Sequence, residues 1–340
     1  MENEKDLEKF KEEIKKEELV PLGWQIVKSG QLSKMELPEA EFLVEGLIPK
    51  GGITILAGNP SSGKSWLLLE IAKAVSSNML LFDKFNTKEA KVLYIDEESS
   101  LTEIKRRWKM LEPPYMTLTD FMSLQGFKID DPEHRKALLD LAEWRHYGLI
   151  VFDSMRDIHN INENDSQQAQ EIIDFLRAFT RKGITILMSH HHRKESFLSP
   201  KDPSQILRGS TAILAGIDCL FSVENPKSTG QMIELIISQP KLRQGKPVAP
   251  FKVNLIEQNG KIRVEYVGEI EEETTKIQKT KEVILELLKE GEKYSAEIVQ
   301  ALIPLYFSER TIKRAISELK DGKSIKPRKE GQRIYYSLVP

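Results

Sequence analysis

The chain has a single cysteine, Cys219, so no internal disulfide can form, and its apolar setting in "AGIDCLFSVE" is that of a buried, inert thiol rather than a reactive one. No stretch reaches the roughly 18 apolar residues of a membrane span. The first twenty residues, "MENEKDLEKFKEEIKKEELV", are charged throughout and lack the apolar core of a signal peptide. A cytoplasmic protein with no membrane partner is therefore expected. Neither sign of charge is in excess: 50 Lys and Arg against 52 Asp and Glu leave a formal charge of −2, so any basic surface for an anionic partner has to be local. Zinc-ligand spacing is also missing. Around His190, His191 and His192 there is no Cys or carboxylate at ligand distance, and alternation along a strand would let only the first and third share a site.

At 340 residues, 40% hydrophobic and 30% charged, the composition is that of a globular protein with one large core and room for a small second domain. Residues 1–40 mix both signs, with Leu7, Phe10, Ile14 and Leu19 near helical spacing, and read as an amphipathic helix and linker. From residue 41 the texture changes. Short apolar runs, "GITILAG", "KVLYIDEE", "GLIVFDS", "GITILMSH", "CLFSVE" and "MIELIIS", alternate with longer helical patterns, the signature of an α/β domain whose mainly parallel sheet is covered on both faces. The two alternating runs joined at Asn259-Gly260 add an antiparallel hairpin at its edge. This domain is placed at 41–268, an acidic linker at 269–278, and a separate small unit at 279–340.

Residues 58–65, "GNPSSGKS", match G-x-x-x-x-G-K-[ST], with an apolar strand before and an apolar-periodic helix after. Gly58 and Gly63 permit a turn, completed by Asn59, Pro60, Ser61 and Ser62, whose available backbone N–H groups surround phosphates at the positive end of a helix. Lys64 is expected to reach the β and γ phosphates of ATP, Ser65 to ligate Mg²⁺, and Trp66 to stand beside the nucleotide. A P-loop needs a second carboxylate for the metal, and "LIVFDS" supplies Asp153 at the end of an apolar strand. A further carboxylate must orient or deprotonate the attacking water. "VLYIDEESS" offers Asp96, Glu97 and Glu98, and spacing alone does not choose among them.

A glutamate on the strand next to the P-loop strand resembles the arrangement of RecA-like ATPases, in which aromatic-Ile-Asp-x-Glu places the base on the last residue, here Glu98. The entry "FLVEGLIPKGGITILAGNPSSGKS" resembles plasmid and mobile-element helicases of the RepA type. "ILMSHHHRKE" is similar to the sensor strand of DnaB-type replicative helicases, which implies that His190 touches the γ phosphate and relays its loss. "LRGSTAILAGIDCLFSVE" is similar to the segment in which a DNA-facing loop leads into a helix and the next strand. The resemblance spans roughly residues 41–268 and implies a RecA-like fold, a ring of identical subunits, expected to be a hexamer, and single-stranded DNA in its channel.

Two long loops follow strand ends: 156–170, which carries Asp157, Glu163 and Asp165, and the stretch with Arg193, Lys194, Lys201 and Arg208. The cations of the second suit the phosphate backbone of single-stranded DNA, whereas the acids of the first would repel it. In "ISQPKLRQGKP" the cations Lys241 and Arg243 close an apolar run far along the chain from the P-loop. The resemblance implies that they reach the γ phosphate of a neighbouring subunit; two solvated strand-end cations are the plain alternative.

The tail reads as three helices and a hairpin turning near Glu330-Gly331, which resembles a winged helix-turn-helix. Arg310, Lys313 and Arg314 on its third helix and Lys326, Arg328 and Lys329 in the wing suit duplex DNA. The same fold also serves to dock proteins. Three readings follow: a DNA motor of the helicase type, a regulator or initiator in which ATP only switches assembly, and a recombination ATPase of the same fold.

Overall fold

The computed structural model describes residues 26–35, 40–163, 165–191, 211–270, 273–305, 307–331 and 333–339. Residues 1–41 form one unit and 42–340 a second. Within the first, the described part is a single helical turn, α1 (Ser29–Leu32). The amphipathic pattern of Leu7 to Leu19 lies outside the described residues.

The second unit opens with a small antiparallel pair, β1 (Phe42–Val44) and β2 (Ile48–Pro49), turned at Gly46. The large sheet takes β3 (Ile53–Gly58), β4 (Val92–Asp96), β5 (Thr119–Ser123), β6 (Leu149–Asp153), β7 (Thr185–His191), β8 (Cys219–Thr229), β9 (Met232–Leu242), β10 (Phe251–Gln258) and β11 (Lys261–Glu269). Its spatial order is β11-β10-β9-β8-β3-β7-β6-β4-β5. The six strands from β8 to β5 run parallel; β9, β10 and β11 are joined antiparallel. The hairpin turn falls on Asn259 and Gly260, both at positive φ, which a primed two-residue turn requires.

Helices cover both faces. The P-loop helix α2 (Lys64–Ser76) buries Leu67, Leu68, Leu69, Ile71, Ala72, Ala74 and Val75, almost its whole circumference. A helix apolar all round has to be enclosed, and Leu235, Ile237, Val253 and Leu255 of the antiparallel strands share its cluster with Leu56, Tyr94, Val151 and Leu187 of the parallel ones. α3 (Leu101–Met110), capped by Ser100, contributes Trp108 to the same face. The other face holds α4 (Pro132–Arg145), α5 (Ser166–Thr180) and the short α6 (Thr211–Gly216), packed on Ile55, Ile95, Phe152 and Met188. Polar chemistry gathers where the parallel strands end, since Asp96 pairs in register with Asp153, and Gly58 with His191.

The residues from Glu273 onward close around a core of their own. α7 (Glu273–Lys289) begins inside the stretch expected to be a linker. α8 (Ser295–Leu302) follows, and then α9 (Glu309–Asp321), capped by Ser308, whose Oγ accepts the Thr311 N–H at 3.1 Å. Ile312, Ala315, Ile316 and Leu319 form the buried stripe of α9. β12 (Lys293–Tyr294), β13 (Ile325–Glu330) and β14 (Arg333–Leu338) make a three-stranded sheet in the order β12-β14-β13.

Candidate functional site: a P-loop with its carboxylates

The chain leaves β3 at Gly58 and enters α2 through Gly63, whose φ of 81° is left-handed. A Cβ on Gly63 would press on Leu235, and one on Gly58 would lie 2.5 Å from Ser62 Oγ and 3.0 Å from the Val223 carbonyl. Gly58 is therefore demanded by space, and Gly63 by its left-handed backbone. Lys64 is buried, and its Nζ donates to the carbonyls of Gly58 at 3.0 Å and Asn59 at 2.7 Å, spanning the loop it belongs to. Burial lowers its pKa, and the Asp153 and Glu98 carboxylates partly offset that.

Those two carboxylates come from different strands. Asp153 ends β6, where its Oδ2 accepts the Tyr94 hydroxyl at 2.9 Å and its Oδ1 accepts the Ser189 hydroxyl at 2.7 Å. After β4 the three acids part company. Asp96 Oδ1 accepts the N–H groups of Glu98 at 2.9 Å and Ser99 at 2.7 Å, and burial pushes its carboxyl up to about 6. Glu97 accepts the N–H groups of Gln125 and Gly126 at 3.1 and 2.8 Å, which ties it to the turn after β5. Glu98 is the exposed one of the three, and its charge is felt at Lys64.

β7 brings three polar side chains to the same end. Alternation puts Ser189 and His191 on the face of Asp153 and turns His190 to the other face, behind Met188. His190 is 1% exposed, with Nε2 3.7 Å from Glu163 Oε2, while Glu163 Oε1 lies 3.1 Å from His159 Nε2. Direct contact between His190 and a phosphate on the Asp153 side does not follow from this arrangement. The side chain is packed against the 156–163 turn instead. Among the described residues no group of three ligands could hold a metal ion by itself, and no helix is long and apolar enough to cross a membrane.

The residues fit a Mg²⁺-nucleotide. The loop would be filled by a Cβ at Gly58, Ser62 Oγ is buried without a hydrogen-bond partner, and a hydroxyl at Ser65 and a carboxylate at Asp153 are the oxygen donors that Mg²⁺ takes. Trp66 is partly buried against the α2 cluster.

Lys241 and Arg243 stand at the opposite end of the sheet. Leu242 pairs with Cys219, Cys219 with Thr54 at the start of β3, and the Arg243 N–H bonds the Asp218 carbonyl at 2.8 Å. The five steps of β3 from Ile53 to Gly58 separate that end from the loop by about 17 Å at a rise of about 3.3 Å per residue. Arg243 is half exposed and donates to Asp218 Oδ1 at 3.1 Å and to the Ala215 carbonyl at 2.8 Å; Lys241 donates to the Leu214 carbonyl at 2.5 Å. Burial, and then Arg243, lowers the pKa of Lys241.

The expected DNA contacts Arg193, Lys194, Lys201 and Arg208 lie outside the described residues, as does His192. In the tail, Arg310, Lys313 and Arg314 share the exposed face of α9, where Lys313 pairs with Glu309 at 2.6 Å and Arg314 with Glu318 at 3.0 Å. Arg328 is held by Glu292 at 2.6 Å and Glu330 at 2.9 Å. Arg310 and Lys329 have no ion-pair partner among the described residues, while the Lys326 charge is felt at Glu292; Lys326 and Lys329 project from opposite faces of β13. Sequence reasoning missed Tyr94, Ser189, Arg177 and Asp218. Their partners are remote in the chain, and only the strand order brings them together.

Residues 17–196 match the family model described as an AAA domain, more than half of the chain. The chain belongs to this AAA-domain family. As such it is a P-loop ATPase. Among curated proteins it is similar to the DNA repair protein RadA of Helicobacter pylori (strain ATCC 700392 / 26695), 25% identical over 175 residues, covering 47% of this chain and 33% of that protein. The RadA of Escherichia coli (strain K12) is 26% identical over 186 residues, 51% of this chain and 36% of its own. The chain thus spans about a third of the length of the curated relatives it matches. Among solved structures, a DnaB-like replicative helicase, described with its interactions with primase, superimposes with a TM-score of 0.51 at 14% identity, over 70% of this chain and 67% of that one. The fold is that of RecA-like ATPases.

Proposed function

We propose that this AAA-domain ATPase is a DNA motor of the ring-forming helicase type, a homo-oligomer expected to be hexameric, with ATP bound at the seam between subunits. The observation that carries the reading is the separation of Arg243 from its own phosphate loop. Lys64, Glu98 and Asp153 cluster at one end of the sheet, while Lys241 and Arg243 occupy the other, too far to serve the same nucleotide and suited to serve a neighbour's.

The P-loop backbone and Lys64 bind the β and γ phosphates, with Trp66 alongside. Ser65 and Asp153 hold Mg²⁺, which supplies charge neutralisation of the phosphate oxygens. Tyr94 and Ser189 fix both oxygens of Asp153. Glu98 orients the attacking water, the role left to it by the commitments of Asp96 and Glu97. His190 reports hydrolysis to the loop beyond β7 by a shift of the strand end, since its side chain faces Glu163 and not the phosphate side. The cations Arg193, Lys194, Lys201 and Arg208 hold single-stranded DNA. The tail, read as a winged helix, meets duplex DNA through Arg310, Lys313, Arg314, Lys326, Arg328 and Lys329, or docks a protein.

The test is mass in solution together with ATP turnover, with and without a Mg²⁺-ATP analogue and short unstructured single strands. Assembly, turnover stimulated by single strands, and its loss in Arg243→Ala with nucleotide binding retained support the reading. A monomer under all conditions sinks it. The likeness to RadA favours a second reading, a DNA-repair ATPase of the same fold. Strand exchange without unwinding of a forked duplex would select it.

A further inference from the structure

Asp218 sits between α6 and β8, 3% exposed, and is the meeting point of two arginines. Its Oδ2 accepts the Ile53 N–H at 2.9 Å and Arg177 Nη1 at 2.8 Å, and its Oδ1 accepts Arg177 Nη2 and Arg243 Nη1, each at 3.1 Å. The same cations satisfy the end of α6: Lys241, Arg243 and Arg177 donate to the successive carbonyls of Leu214, Ala215 and Gly216. Cations at the C-terminal end of a helix meet its negative pole.

The two arginines are not equivalent. Arg177 is forked across both carboxylate oxygens with its side chain 24% exposed; Arg243 touches one oxygen and is 50% exposed. One carboxylate with two guanidiniums has a counter-ion to spare. If Arg243 leaves, Asp218 keeps a bidentate partner and a backbone N–H, and the vacated Ala215 carbonyl opens to water. Without Arg177, the departure of Arg243 would strand a buried carboxylate, which is strongly unfavourable.

We propose that Arg177 and Asp218 are positioning residues that hold Arg243 in reserve within its own subunit and release it to a neighbour's phosphate, Arg177 staying behind as the resident counter-ion. This rests on the trans-acting role of Arg243 proposed above. The pair sets where the guanidinium waits and makes its exchange possible without orphaning a buried charge.

The test uses the full chain, assembled with Mg²⁺-ATP and single-stranded DNA. Arg177→Gln should trap Arg243 on Asp218, lowering kcat at least tenfold while KM and nucleotide affinity stay within about twofold. Arg177→Gln combined with Asp218→Asn removes the trap and should restore kcat to within about threefold of the parent. A purely structural role for Arg177 would show instead as lost stability of Arg177→Gln in urea unfolding, with kcat per folded, assembled subunit unchanged. Wild-type turnover in Arg177→Gln, or a deficit that the double variant does not relieve, overturns the proposal. Should Arg177→Gln fail to fold, Asp218→Asn alone decides: turnover at least equal to the parent supports the holding site, and a loss beyond tenfold refutes it. Arg243→Ala run beside these separates the two ideas, because full turnover there removes the trans-acting arginine itself, whatever Arg177 does.

Discussion

The hydroxyl of Tyr94 on β4 donates to Oδ2 of Asp153 on the adjacent strand β6, at 2.9 Å. Burial, and then the Asp153 charge, raises the phenol well above its ordinary pKa, so it remains a donor throughout the working pH range. With Ser189 on the other oxygen, the carboxylate is fixed from two sides. Tyr94→Phe keeps the ring packing and deletes one donor to a buried acceptor. It is expected to lower kcat several-fold and to cost about 1–3 kcal/mol of stability, read by ATP turnover at saturating Mg²⁺-ATP and by urea unfolding. Unchanged values in both would mean that Asp153 does not need the phenol.

The three acids after β4 make a second test. General-base assistance contributes about 10² to 10⁴ in rate, so Glu98→Gln should lower single-turnover hydrolysis at least about 100-fold with nucleotide still bound. Glu97→Gln keeps one acceptor oxygen and loses at most one of the two N–H bonds from the turn at Gln125 and Gly126, so it should cost less than about tenfold. The reverse order of effects would reassign the base to Glu97.

Much of this was legible in the sequence because it is local. The P-loop, the strand-end aspartate at 153, the Asn259-Gly260 turn and the Ser308 cap each depend on a few consecutive residues and the backbone geometry they favour. Assignments that depend on strand order were not legible. Tyr94 and Ser189 meet Asp153 from strands 59 and 36 residues away, and Asp218 collects an arginine from 41 residues upstream and another from 25 downstream. His190 shows the limit of a motif: the resemblance placed it at the sensor, but the pleat turns it to the face opposite Asp153. The acidic stretch before α7 shows another, since charge without periodicity reads as linker although a helix can begin there.

Asp96 makes stability depend on pH. Burial raises its carboxyl from the ordinary 3.8 to about 6 in the folded protein. A raised folded pKa means that its favourable contribution is full below about 3.8 and is lost as pH climbs through about 6. Asp96→Asn keeps an acceptor for the Glu98 and Ser99 N–H groups without the charge. Denaturant titrations without nucleotide should find the variant more stable than the parent at pH 8, with the gap closing toward pH 4. A variant less stable than the parent at pH 8 contradicts this account.

The hairpin of β13 and β14 supplies the remaining prediction. Arg328 is engaged bidentately by Glu292 and again by Glu330, and its hydrogen bonds hold the Glu292 carboxyl below its ordinary range. A guanidinium so occupied has to exchange carboxylates for phosphates before it can contribute to duplex binding. Glu292→Gln combined with Glu330→Gln removes that competition and leaves Arg328 stacked over Tyr335, 5.0 Å from the ring centroid. Each additional phosphate neutralised steepens the fall of log K with log salt by about 0.9. The double variant is therefore expected to bind a short duplex several-fold more tightly at low salt, with a slope steeper by about one. Equal affinity and equal slope would show that this face of the hairpin meets no phosphate, which leaves the exposed cations of α9, Arg310 first among them, or a protein partner, as the tail's contact.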